Sequence, residues 1–223
     1  MDERDEVLGF WFPERPGVDL GTHREQWLWR MHGGADAAIV ERFSALCARA
    51  ARGACDGWAE TARGRLALVV VLDQFSRSVW RDTPRAFAQD PKALALALEG
   101  LANGHYDALG SVWEKTFFSM PLGHCEGPDH LARLDRVIAL CRALVAEAPA
   151  ELRPLYEFSA EQPVLHRRVI AAFGRHPHRN RVLGRTSTAD ELAYVAKGVF
   201  PHQREVPRWS EPAAAASGAT PRG

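Results

Sequence analysis

A chain of 223 residues, 46% hydrophobic and 25% charged, is long enough to bury one sizeable core and has ordinary globular composition, which excludes disordered and fibrous classes. Lys plus Arg and Asp plus Glu balance at 28 each, so no net field draws the chain to nucleic acid or to an anionic membrane.

The opening MDERDEVLGFWF is acidic before a short apolar stretch, the reverse of a secretory leader, and no apolar run approaches the roughly 20 residues that span a bilayer. The chain therefore reads as soluble and cytoplasmic. Helical periodicity recurs and strand alternation is nearly absent, so the expected fold class is all-α. THREQWLWRM starts a helix with Thr22 and Glu25 at capping-box spacing. Cys47, Cys55, Cys125 and Cys141 make no CxxC pair, so reduced thiols are expected in place of bridges or a cysteine zinc site.

In LALVVVLDQFSRSVWR, residues 66–81, Asp73 and Arg77 follow seven apolar residues. On a helix Leu66, Val70, Asp73, Arg77 and Trp80 form one stripe, while Leu68, Leu72, Phe75 and Val79 form a second. A helix apolar on two sides is central, so Asp73 and Arg77, four apart, are expected to be buried and paired. Arg81 and Arg85 add more positive charge than Asp73 can neutralise, which suggests either an anion pocket or a solvated helix end.

Further along, DPKALALALEGLANG predicts a helix with Asp90 as N-cap, Pro91 at the first position and Gly104 past the end. A helix from Pro128 to about Ala146 presents Leu131, Leu134, Ile138 and Val145 to the core. Another spans about Glu161 to Phe173 and stops at Gly174, and STADELAYVAKG forms a last one with Thr188 and Glu191 as a capping box. Residues 1–203 are read as one helical domain, an irregular bundle or array of helical pairs without a clean repeat, and the Pro/Ala/Gly-rich stretch 204–223 as a flexible tail.

Two polar clusters sit in turns. FFSMPLGHCEGPDH carries His124 and Glu126, a possible base and its orienter, with Cys125 a nucleophile only if its thiol pKa is lowered. HRRVIAAFGRHPHRNRVLGRTSTADE carries His166, Arg175, His176, His178, Arg179, Asn180 and Arg185, with Pro177 keeping the loop extended. Arginine forks suit carboxylate or phosphate, and GRTST leads into a helix N-terminus that favours anions. His176 and His178 raise a metal reading, but no specific ligand spacing supports it, and none is adopted.

VLGFWF, LDQFSRSVWRDTPRAFAQD, FSMPLGHCEGPDH and the arginine-rich stretch, in this order over about Glu6 to Phe200, resemble the bacterial domain-of-unknown-function family 924. The resemblance implies an all-helical fold related to tetratricopeptide-repeat-like proteins, and it brings no established reaction. It maps family positions onto Asp73, Gln74, Phe75, Arg77, Arg81, Thr83, Phe87, Asp90, His124, Glu126, His166, Phe173, Gly174, Arg175, Pro177, His178, Arg179, Asn180, Leu183, Gly184 and Arg185. Where such proteins read Phe-Pro-Arg-Asn this chain has Phe75-Ser76-Arg77-Ser78, and His-Ser-Glu becomes His124-Cys125-Glu126.

The expected function is binding of a small anionic molecule, with acid–base chemistry from Asp73, His124, Glu126 and His166 and with Arg77, Arg81, Arg175, His178, Arg179, Asn180 and Arg185 holding the ligand. No cofactor is indicated. The competing readings are a helical module that grips an acidic peptide, with Trp27, Trp29 and Trp58 as anchors, and a buried polar network without a ligand.

Overall fold

The centre of the molecule is the segment that the sequence marks as too greasy for the surface. Every residue from Gly64 to Asp73 is buried, because other helices cover this segment on all sides. The computed structural model describes residues 2–13 and 17–209, and among them there is no strand. Helices α1 (Glu3–Trp11), α2 (Leu20–Met31) and α3 (Asp36–Ala51) come first, then α4 (Ala62–Val69) and α5 (Ser76–Val79), which are joined by the six-residue π-helical segment Val70–Phe75. Next are α6 (Asp90–Ala102), α7 (Val112–Ser119), α8 (Pro121–His124), the long α9 (His130–Glu147) and α10 (Arg153–Phe173), and finally α11 (Ala189–Ala196). The result is an all-α, irregular bundle.

Local chemistry places most of the boundaries. Gly174 ends α10 in the left-handed conformation at φ 72°, where a Cβ would be strained. Thr188 and Glu191 form the expected capping box, each side chain taking the other's backbone N–H. Pro163 lies inside α10, which nevertheless starts at Arg153, ahead of the expected Glu161.

Four local expectations change. Asp90 is the first residue of α6, preceded by Gln89 as its N-cap, and makes no capping bond because its carboxylate is taken by arginines. Asp19, rather than Thr22, caps α2: its carboxylate accepts the Thr22 backbone N–H at 2.9 Å and the Thr22 hydroxyl at 2.7 Å, so the Thr22–Glu25 box does not form. Leu134 is buried as expected, but Leu131 is 38% exposed and Ile138 and Val145 are only half-buried; α9 also buries Val137, Cys141 and Leu144. The simple α-helical stripes of residues 66–80 are interrupted by the π segment, in which the Ser76 N–H reaches back to the Val71 carbonyl five residues earlier.

The core joins Val7 to Val206 in one cluster. At its N-terminal end Phe10, Trp11, Phe43, Phe75 and Phe117 meet edge to face or tilted, with centroids 4.8–5.9 Å apart. Trp27 is 4% exposed and belongs to this core, while Trp29 and Trp58 pack against it, so Trp27 is no surface anchor. The expected tail begins at residue 204, but 204–209 pack on the body: Val206 is buried, and Arg24 donates to the carbonyls of Val206 and Pro207 at 2.7 Å each. Residues 210–223 lie outside the described residues.

Candidate functional site

The π segment brings Asp73 to a point where α6, α8 and the loop after α10 meet. Asp73 is fully buried, and burial alone would raise its pKa. His124 and Arg77 beside it outweigh that effect and hold its carboxyl well below the usual range. The His124 Nδ1 lies 2.9 Å from both Asp73 oxygens, Arg77 Nη2 is 3.4 Å from Oδ1, and the Gln74 amide donates to Oδ2. A carboxylate accepts only, so Nδ1 of His124 carries a proton, and Nε2 is the ring nitrogen that the Asp73 contact leaves unused.

A second carboxylate holds the arginines. Asp90, at the start of α6, takes Arg77 Nη1 at 3.0 Å on one oxygen and Arg179 Nη1 at 3.1 Å on the other. Both guanidiniums lie over the Phe87 ring, at 5.4 and 4.5 Å. Arg179 also donates to the His124 carbonyl at 2.9 Å, tying the arginine-rich loop to the histidine turn. Burial pulls the Arg179 pKa down to about 10, with the nearby Arg77 charge adding to the effect and Asp90 opposing it. The sequence suggests Asp90 as the cap of α6; its carboxylate instead pairs two arginines, 13 and 89 positions away, a role readable only once they meet it.

Glu126 has a different job. It accepts the His176 backbone N–H at 2.6 Å and the Arg185 guanidinium, while Arg185 also donates to the His176 carbonyl at 3.0 Å and to Asn180 Oδ1 at 2.9 Å. Burial would raise the Glu126 carboxyl, but these donors lower it, so it stays ionised and cross-links the loop to the His124 turn. Arg175 forms a fork on Glu191 at 2.7 and 2.8 Å. Arg81 reaches Asp36, far from His124 in the fold and mostly exposed. Ser76 and Ser78, where the family typically has Pro and Asn, donate to the Val71 carbonyl at 3.2 Å and to Asp36 at 2.6 Å.

Beside this network lies a cavity of about 110 Å³. Its body is apolar, with Trp27, Leu134 and Val137 in the wall, and its polar residues include His124, His166, His202 and Arg204. Of the residues expected to form the site, His124 and His166 line it, whereas Asp73, Glu126, His178, Asn180 and the expected arginines do not. His202 and Arg204 were missed because the Pro-rich composition that follows them reads as a tail. Arg204 pairs with Glu161 at 2.8 Å through Nη2, while its Nη1 is buried without a hydrogen-bond partner among the described residues.

Cys125 is 6% exposed, and burial pushes its thiol pKa up, so it is the neutral, packed alternative to a nucleophile. All four cysteines are free. Among the described residues no group of three or more His, Cys, Asp and Glu is arranged to hold a metal ion, and no helix is long and apolar enough to cross a membrane.

Comparison with known proteins yields no curated match. A solved structure described as a protein of unknown function, ATU0120 from Agrobacterium tumefaciens, is 32% identical, with a TM-score of 0.68 over 88% of this chain and 98% of that one. The model of the family described as bacterial protein of unknown function DUF924 matches residues 7–199, which takes in all three polar segments of the site, and the chain belongs to that family.

Proposed function

We propose that the protein binds a small molecule with an apolar body and an anionic group, and that His124 serves as its general base or acid. The Asp73–His124 pair at the wall of an apolar cavity carries this reading: a buried carboxylate fixes one nitrogen of a ring whose other nitrogen is free, the usual arrangement of a positioned acid–base catalyst. A cavity of roughly 150 Å³ admits benzene, so 110 Å³ suits a body of about four to six carbons. The anionic group would meet Arg204, whose Nη1 has no partner, and His166.

In this reading the work of Arg77, Arg179 and Arg185 is positioning: they pair with Asp73, Asp90 and Glu126 and hold His124 in place. The same pairing weakens the acidic-peptide alternative, because these arginines already have carboxylate partners. The free, buried cysteines suit a reducing, cytoplasmic setting.

The test is ligand-induced melting shift with butyrate, benzoate and phenyl phosphate against the neutral benzyl alcohol. The anions are expected to raise the Tm of the wild type, and Arg204→Gln and His124→Gln are expected to remove most of that rise. No response to any of the four compounds, or an equal response in both variants, overturns the reading.

A further inference from the structure

At and behind the cavity wall, five of the nine histidines form one continuous cluster. The His176 ring lies 5.4 Å from each of His130, His166 and His178, and His178 lies 4.8 Å from His202. Among the described residues none of these five rings is paired with a carboxylate, since Asp73, Asp90 and Glu126 are taken by His124 and the arginines. Several ring nitrogens are buried without a partner: both of His176, and Nδ1 of His130, His166 and His178. Such rings stay folded only while neutral.

His202 belongs to the segment 200–209, which runs along one side of the cavity as a strap. His202, Arg204 and Val206 line the cavity from this side. The strap is held at separate points, with Val206 in the core and Arg204 over the Phe158 ring at 4.2 Å. Phe200 and His202 stack on one another and meet the His178 ring at 5.5 and 4.8 Å. Gln162 donates to the Pro201 carbonyl, Arg204 pairs with Glu161, Arg24 holds the Val206 and Pro207 carbonyls, and Trp209 meets Phe158.

We propose that this strap is an acid-sensitive cover of the cavity: it lies closed while His178 and His202 are neutral, and protonation of the two facing rings releases it. The groups around them favour release. His178 faces Arg179 and Arg185 from its own loop, Arg77 from the central helix and His166 from α10; His202 faces Arg179 and His124, with Arg204 on its own strap already paired to Glu161. Adding positive charge there is opposed by Arg179, Arg185 and Arg77 at His178 and by Arg179 at His202.

Desolvation, reinforced by those neighbours, pushes His178 to about 3 and His202 to about 4 when the strap is closed. A histidine freed into water titrates near pH 6.5 (roughly). Because the open form binds protons more readily, closure is complete above about pH 6.5 and weakens as pH falls, by up to about tenfold per pH unit for each ring released. His202 keeps an exposed side, so solvent protons reach the cluster through it.

The inference uses the cavity of the proposed function, but its test does not need a ligand. Hydrogen exchange of the full chain, corrected for intrinsic rates, is compared at pH 7.5 and 5.5, above the range where ordinary carboxylates titrate. Peptides over 199–209 are expected to lose about ten- to hundredfold more protection at the lower pH than those of α9 and α10. The double variant His178→Phe/His202→Phe, which retains ring packing without a titrating nitrogen, is expected to stay closed at both pH values. Should it fold poorly, His202→Gln alone is expected to cut the response about tenfold. A strap whose protection ignores pH, a loss of equal size in α9 and α10, or a response that survives in these variants overturns the proposal. Strap opening without binding of any anionic probe defeats the binding reading alone.

Discussion

Asp73 and His124 are 51 positions apart in sequence, yet both oxygens of the first lie 2.9 Å from Nδ1 of the second. Neither can be changed without stranding its partner, because Asp73 is fully buried and Arg77 leans on the same carboxylate. Asp73→Asn keeps the size and removes the charge that balances Arg77 and fixes the His124 tautomer. Breaking a buried ion pair from one side costs about 3–5 kcal/mol, so urea unfolding at pH 7.5 is expected to show a loss near the lower end, about 3 kcal/mol, since Arg77 keeps Asp90. A loss under about 1 kcal/mol means the pair does not hold the site together.

Asp90 offers a sharper case, with one carboxylate shared by two guanidiniums. Asp90→Asn leaves Arg77 and the 5% exposed Arg179 facing each other over Phe87 with no counter-charge between them. The expected cost is about 4–5 kcal/mol, larger than for Asp73→Asn. Asp36→Asn, which unpairs only the mostly exposed Arg81, is expected to cost about 1 kcal/mol or less in the same assay.

Local signals in the sequence carried the helices well, and their limits are equally physical. Gly174 and the Thr188–Glu191 box act within one turn, so their chemistry is visible in a short window. At α2 two residues competed for one cap, and Asp19 won because it satisfies both the N–H and the hydroxyl of Thr22. The π segment adds one residue to a turn within an unbroken apolar run, which periodicity alone does not register. Burial of Asp73 and its pairing with Arg77 were legible from the two apolar stripes; its partnership with His124, the double use of Asp90, and the place of His202 and Arg204 depend on contacts between distant segments.

Packing around Gly100 is tight enough to test the α6–α7 contact. A Cβ there would collide with the Phe118 ring and come within 2.9 Å of Arg65 Cδ, and Phe118 is fully buried. Arg65 cannot swing away freely, because its guanidinium is forked on Glu99 and donates to the carbonyls of Leu96 and Ala59. Gly100→Ala therefore trades a better helix former for an overpacked core. The net expectation is a destabilisation of about 1–3 kcal/mol, read from the urea midpoint, where an exposed helical glycine would gain stability on the same change.

His176 is 1% exposed, touches three other histidines and has no partner for either ring nitrogen, so desolvation first, and then Arg179 and the other histidines, drive its pKa far down. A folded-state pKa below the unfolded value means the unfolded chain takes up the proton, so the stability tied to this ring is present above about pH 6.5 and declines below it. The carboxylates Asp73 and Glu126, also lowered, contribute their loss only as pH falls below about 4. Unfolding free energy is thus expected to fall between pH 6.5 and 5, before any carboxylate titrates. His176→Phe, which keeps an aromatic ring among the other three and removes the titrating nitrogens, is expected to flatten that slope by up to about 1.4 kcal/mol per pH unit while changing stability at pH 7.5 by about 1 kcal/mol or less. A slope identical to that of the wild type would place the acid sensitivity of the fold elsewhere than in this buried ring.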